Sequence, residues 1–209
     1  MEALPALVLV LFFVMVSCQK TDEPQGNDAV VPNLTTYEVG DYYSNDTLEG
    51  IVFWTYGAHN GLMVCLDETC LSWCLPGNLN CETGATNPYE GWNNTNILMD
   101  VYDMGHYPAI QWSYLKNTWH LVNYPHRKVT NKQWYVPAVT ELRYLLQNWE
   151  AVNATLSRMG CPTLDDKTYW SSTETGARGA AALHVQDGRI VVGDEVKDQY
   201  FYVRAVRNY

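Results

Sequence analysis

The chain changes character at Cys18, and that change limits which residues can belong to a folded core. Ala3 to Val16 is an apolar run of about 14 residues, shorter than the ~20 that a membrane-crossing helix needs. Its length suits the apolar core of a secretory signal peptide, although Met1 and Glu2 supply no basic residue ahead of it. Residues 19–34 are polar, contain Pro24, Gly26 and Pro32, and lack aromatic side chains. As a flexible chain they would reach roughly 20–25 Å. From Tyr37 onward tryptophan and tyrosine are dense, and the remaining stretch is long enough for one well-buried domain. The organisation read from this is a signal segment over 1–17, a tether over 18–34 and a domain over 35–209.

Met15-Val16-Ser17-Cys18 places a small residue before a cysteine at the end of the apolar run. This resembles the lipobox of bacterial lipoproteins, in which the cysteine is acylated and becomes the first residue of the mature chain. The resemblance implies lipid attachment at Cys18, a membrane partner through that anchor, and an outer-membrane, cell-surface location. Each buried methylene of an acyl chain contributes about 0.8 kcal/mol, so two or three chains hold where one barely does.

The formal net charge is −10, and His126-Arg127-Lys128 is the only basic cluster. A nucleic-acid partner needs a basic face, so that class is set aside. Five cysteines follow Cys18: Cys65, Cys70, Cys74, Cys81 and Cys161. The odd number leaves at least one thiol unpaired within the chain. The first four, spaced x4, x3 and x6, lack the paired short knuckles of structural zinc sites. Disulfides and packed thiols are the two readings kept for them; no metal or cofactor is expected.

Local patterns give the elements. Gly50–Trp54 and Leu62–Leu66 are β-prone runs around a turn-rich Tyr56–Gly61, which predicts a hairpin. Thr95–Tyr102 has helical spacing, while 76–94 reads as loop. After Pro137, Leu142, Leu145, Leu146 and Trp149 recur with helical period; Val152, Leu156 and Met159 continue in a second helix that stops at Gly160. Asp187-Gly188 between two apolar runs predicts a tight hairpin, because a type I′ turn needs positive φ at both central residues. Phe201–Arg207 reads as one terminal strand. Strands, then helices, then an antiparallel group make an α+β domain.

Several stretches share an order and spacing: Gly61-Leu62-Met63-Val64, Thr83-Gly84-Ala85-Thr86, Trp134-Tyr135-Val136-Pro137-Ala138 with Glu141-Leu142, Tyr169-Trp170-Ser171-Ser172-Thr173-Glu174, and Val203-Arg204-Ala205-Val206-Arg207. Together they resemble the DUF1566 family, also called the Lcl C-terminal domain. The resemblance implies a C-type-lectin-like fold, with two helices packed on irregular antiparallel sheets and long loops. Calcium-dependent lectins of that fold use Glu-Pro-Asn or Gln-Pro-Asp ligand triplets, and neither occurs here. Formylglycine-generating enzymes share the fold, but their catalytic cysteine pair has no counterpart near the C-terminal end.

The function expected is therefore a non-catalytic binding domain for glycan or protein. The alternative is an accessory subunit of an envelope or fimbrial assembly, with an enzyme of the formylglycine-generating type ranked last. Trp92, Trp112 and Trp119 lie in the least regular stretch, 86–133, and are the candidate ligand-binding residues; Trp134 and Trp170 are read as core. His106, His120 and His126 share that stretch as scattered polar residues. Ser171–Glu174 is read as a strand edge whose hydroxyls satisfy nearby backbone. One of Arg204 and Arg207 is expected to pair with Glu174 or Glu141 and fix the end of a sheet.

Overall fold

Alternating and helical hydrophobic patterns resolve into two sheets with helices packed against both. The structure is a computed structural model and describes residues 35–57, 59–101, 104–117 and 129–209. The signal segment, the tether with Cys18, and Trp119, His120 and His126 lie outside the described residues. Residues Leu34–Tyr209 form one folded unit.

Strands β1 (Tyr42–Asn45), β2 (Leu48–Thr55), β3 (Gly61–Val64) and β4 (Thr69–Ser72) come first. Helices α1 (Gly91–Val101), α2 (Pro108–Leu115), α3 (Val139–Gln147) and α4 (Trp149–Arg158) follow. Strands β5 (Tyr169–Glu174), β6 (Gly179–Gln186), β7 (Arg189–Val196), β8 (Tyr200–Val203) and β9 (Val206–Asn208) close the chain. One sheet has the order β1-β2-β3-β9, the other β4-β8-β5-β6-β7. All pairings are antiparallel except β5 with β8. The domain is α+β, without a closed barrel.

The hairpins follow their turn chemistry. Asp187 (φ 49°) and Gly188 (φ 71°) form the tight β6–β7 turn with Gln186 opposite Arg189. The β2–β3 hairpin forms as the sequence indicates, with a bulge between Val52 and Trp54. Helices α3 and α4 bury Leu142, Leu145, Leu146, Val152 and Leu156 against Ile51, Phe53, Tyr169 and Leu183, so this core joins the two sheets. The Asn148 amide donates to Phe53 O (3.0 Å) and fixes the junction of the two helices on β2. Gly160 (φ 70°) ends α4, with the Cys161 amide donating back to Leu156 O at 2.9 Å. A second core places Trp73, Leu98, Tyr107, Ile110, Val136, Trp170 and Val203 between the larger sheet and α1 and α2.

Four expectations need correction. Helix α1 begins at Gly91 rather than Thr95, because the Asn94 side chain is spent outside the helix: it accepts from Asn87 N (2.9 Å) and donates to Asn87 O (2.8 Å). An Asn-rich stretch reads as loop when such amides are free to compete with the backbone. The stretch 86–133 also contains α2, which starts at Pro108, where the missing proline N–H is no loss. Ser171–Glu174 lies in β5, the central strand of the larger sheet, not at an edge. Its hydroxyls do bond to backbone: Ser171 Oγ donates to Ala181 O (2.8 Å) and Thr173 Oγ1 to Asn87 O (3.1 Å).

The fourth correction concerns the C-terminus. Phe201–Arg207 is not one strand: β8 belongs to the larger sheet, β9 to the smaller, and Arg204-Ala205 carries the chain between them. The buried Arg204 guanidinium explains the break. It donates through Nε to Glu68 (3.0 Å), through Nη1 to Cys65 O (2.9 Å) and Leu66 O (3.1 Å), and through Nη2 to Pro162 O. Its partner is thus Glu68, not Glu174 or Glu141. Arg207 instead lies 5.6 Å from the Trp134 ring.

Truncating the shared core tests this packing. Leu145→Ala is expected to lower unfolding stability by about 2–5 kcal/mol in urea titration. Leu115→Ala, at a side chain 49% exposed on α2, is expected to change it by less than about 0.5 kcal/mol.

Candidate functional site

The bulge in β2 sets the position of Trp54, and α3 brings Tyr144 against it with the rings stacked at 4.1 Å and 9°. Tyr56, just beyond β2, is 46% exposed, and its hydroxyl accepts from the Asn208 amide on β9. The turn before α1 supplies Tyr89, 68% exposed, and the helix supplies half-buried Trp92. These side chains line a cleft of about 250 Å³, with Asn131, Asn208 and Glu90 adding polar groups.

The loop chemistry explains the placement of Tyr89. Asn87 Oδ1 accepts from Tyr89 N (2.9 Å) and Glu90 N (3.1 Å), an Asx turn that leads into α1. At Gly91 a Cβ would sit 2.2 Å from Val136 O, so only glycine lets the helix start against the 136–138 segment.

Buried Glu141 forms the floor of the cleft. Its Oε2 accepts from Gly91 N (2.9 Å) and Ala138 N (2.8 Å), and its Oε1 accepts from the Tyr135 hydroxyl (2.8 Å). One carboxylate thereby fastens the start of α1 to the start of α3. Bonding back to the residue before its own helix is half of a capping box. Ala138 has no side-chain oxygen to complete the box, and Thr173 Oγ1 accepts from Val139 N (3.0 Å) in its place. Burial pushes the Glu141 carboxyl up to about 7, against the pull of these three donors, and burial likewise raises the Tyr135 hydroxyl.

Of the tryptophans expected in the ligand-binding set, Trp92 lies in the cleft. Trp112 does not: it packs partly against the cores, and Lys116 Nζ covers its ring at 4.1 Å. Trp134 and Trp170 are core residues, as read. Trp54, Tyr56 and Tyr144 were missed because no local pattern marks them: Trp54 sits in an ordinary apolar strand run and Tyr144 on a helix. Only the tertiary pairing of β2 with α3 turns them into a surface.

The five cysteines are free thiols. Burial pushes Cys65 up to about 12 and Cys74 up to about 11, which leaves little thiolate at neutral pH. Among the described residues no group of three or more His, Cys, Asp or Glu is arranged to hold a metal ion. Glu174 pairs with Lys197, which also donates to Cys81 O (3.1 Å) and Ala177 O (3.0 Å). Glu174 accepts from Thr83 N and Gly84 N, each at 2.9 Å, so this pair ties the 81–84 loop to the sheet.

No family model matches the chain, and no curated protein matches it in sequence. Among solved structures, a fimbrial protein from Bacteroides ovatus has a similar fold, with a TM-score of 0.59 and 20% identity. The match covers 81% of this chain and 48% of that one, so the chain spans about half the length of that neighbour.

Glu141 gives a pH test. Its native carboxyl, near 7, lies above the ordinary value of 4.5, so the native state holds the proton more tightly than the unfolded chain. The resulting stability is fully present below about pH 4.5 and is lost as pH rises through about 7. Glu141→Gln removes this titration. The stability difference, wild type minus variant, is expected to fall by roughly 2–4 kcal/mol between pH 4 and pH 8 in urea titrations.

Proposed function

We propose that this chain is a non-catalytic cell-envelope lipoprotein whose domain binds a glycan in the aromatic cleft between β2, α1 and α3. The observation that carries the reading is the cleft itself: the stacked Trp54–Tyr144 pair beside Trp92, Tyr56 and Tyr89, ringed by Asn131, Asn208 and Glu90. Aromatic rings offer flat apolar faces that match the C–H faces of a sugar, and amides and carboxylates match its hydroxyls. The lipobox-like Met15–Cys18 supports acylation at Cys18 and display from the outer membrane, with residues 19–34 as a spacer. The motif series resembling DUF1566 supports membership of that family, and with it a C-type-lectin-like classification.

A second reading, an accessory subunit of a fimbrial assembly, is favoured by the similarity to the Bacteroides ovatus fimbrial protein. The two readings are compatible if the domain is the recognition head of such an assembly.

A glycan array probed with the soluble 35–209 domain tests the main reading. Tyr89→Ala and Trp92→Ala are expected to weaken any retained glycan by roughly ten- to a hundredfold, the loss of one aromatic contact. Tyr89→Ala is expected to leave thermal unfolding unchanged, since the ring is largely exposed. Binding that survives both substitutions contradicts the assignment of the cleft.

A further inference from the structure

Two arginines whose guanidinium groups have no partner among the described residues face one cleft. Arg158 donates to Thr155, Arg178 to Asn80, Arg204 to Glu68 and Arg207 to Asn208 O. Arg143 and Arg189 are exposed, and their guanidinium groups form no hydrogen bond or ion pair with any described residue. Both line a cleft of about 380 Å³ between α3 and the β6–β7 hairpin, together with Gln147, Trp149, Leu146 and Ile190.

Helical geometry separates this cleft from the aromatic one. Arg143 and Gln147 are one turn apart on an exposed face of α3, whereas Glu141 and Tyr144 line the aromatic cleft from another face. The charge differs as well. Among the described residues, the aromatic cleft is lined by Glu90 and Glu141 and by no basic side chain, and the second by two arginines and no acidic one. In a chain of net charge −10, a concave site lined only by positive charge is a local reversal. Guanidinium groups pair bidentately with carboxylates, and unpaired ones keep all their donors for a partner.

The walls narrow the class of partner. Val185 and Ile190 are aliphatic and partly exposed, and suit an aliphatic side chain next to an acid. Arg189 and Ile190 also belong to β7, the end strand of the larger sheet, whose outer edge carries no strand among the described residues. An extended polypeptide can therefore meet charge, an aliphatic wall and strand-edge backbone groups in one neighbourhood.

We propose that this cleft docks an extended acidic segment of a partner protein, with Arg143 and Arg189 pairing its carboxylates and the Val185–Ile190 wall taking an adjacent aliphatic side chain. The proposal does not rest on the glycan reading of the aromatic cleft.

The test uses fluorescence anisotropy of the 35–209 domain with labelled peptides of alternating Glu and Leu or Val. Saturable binding is expected, at least tenfold weaker in 0.5 M NaCl, for peptides with Gln in place of Glu, and for the double variant Arg143→Gln, Arg189→Gln. Because both arginines are exposed and their guanidinium groups have no partner among the described residues, the variant should melt as wild type does, and Tyr89→Ala should bind these peptides normally. Absence of saturable binding, or equal binding by the arginine variant, overturns the proposal. Stronger arginine-dependent binding of oligogalacturonate than of any acidic peptide overturns the assignment to a protein partner.

Discussion

A buried carboxylate with three donors holds the aromatic cleft together. Glu141 receives the first amide of α1, the amide that precedes α3, and the hydroxyl of Tyr135, whose backbone bridges to Val206. The aromatic cleft exists because these three segments meet. Without the carboxylate, two helix starts would carry unsatisfied amides beside an apolar core, and each such group costs about 1–3 kcal/mol. The raised Glu141 carboxyl shows the opposing force: burial disfavours the charge, and the three donors recover only part of the loss.

Two further charged nodes act in the same way on the rest of the domain. Lys197 and Glu174 pin the 81–84 loop, with Lys197 Nζ also 4.9 Å from the Trp73 ring. Arg204 and Glu68, joined by Lys167 and the Tyr169 hydroxyl, lock the point where the chain leaves one sheet for the other. Buried pairs of this kind add little net stability over apolar packing, yet breaking one leaves a buried charge without a partner. Their role here is to specify geometry. Loops that lack regular backbone pairing are held by side chains instead, so the surface they present is fixed by the fold itself.

Legibility in the sequence divided along the range of the interactions. The Asp187-Gly188 turn, the α3 and α4 leucines and the Gly160 stop could be read because each depends on residues within a few positions. The strand switch at Arg204 could not, since it depends on Glu68 and Pro162. The start of α1 depends on the Asn94 amide being engaged by the Asn87 backbone seven residues back, which no local pattern shows. In the cleft, Trp92 was named from its surroundings, but its neighbours Trp54 and Tyr144 come from a strand and a helix with unremarkable local patterns. Aromatic residues at regular positions read as core; only a β-bulge and a helix face made these two part of a surface.

The proposed glycan site is the Trp54–Tyr144–Trp92 cleft, not the buried tryptophans. Its most direct measurement is an NMR titration that follows the tryptophan indole N–H resonances while a glycan retained by the domain is added. The Trp54 and Trp92 signals are expected to move with saturation, while those of Trp73 and Trp170, whose indoles donate to Ser171 O and Leu71 O inside the core, stay in place. Unmoved Trp54 and Trp92 signals in the presence of a bound glycan would contradict this assignment.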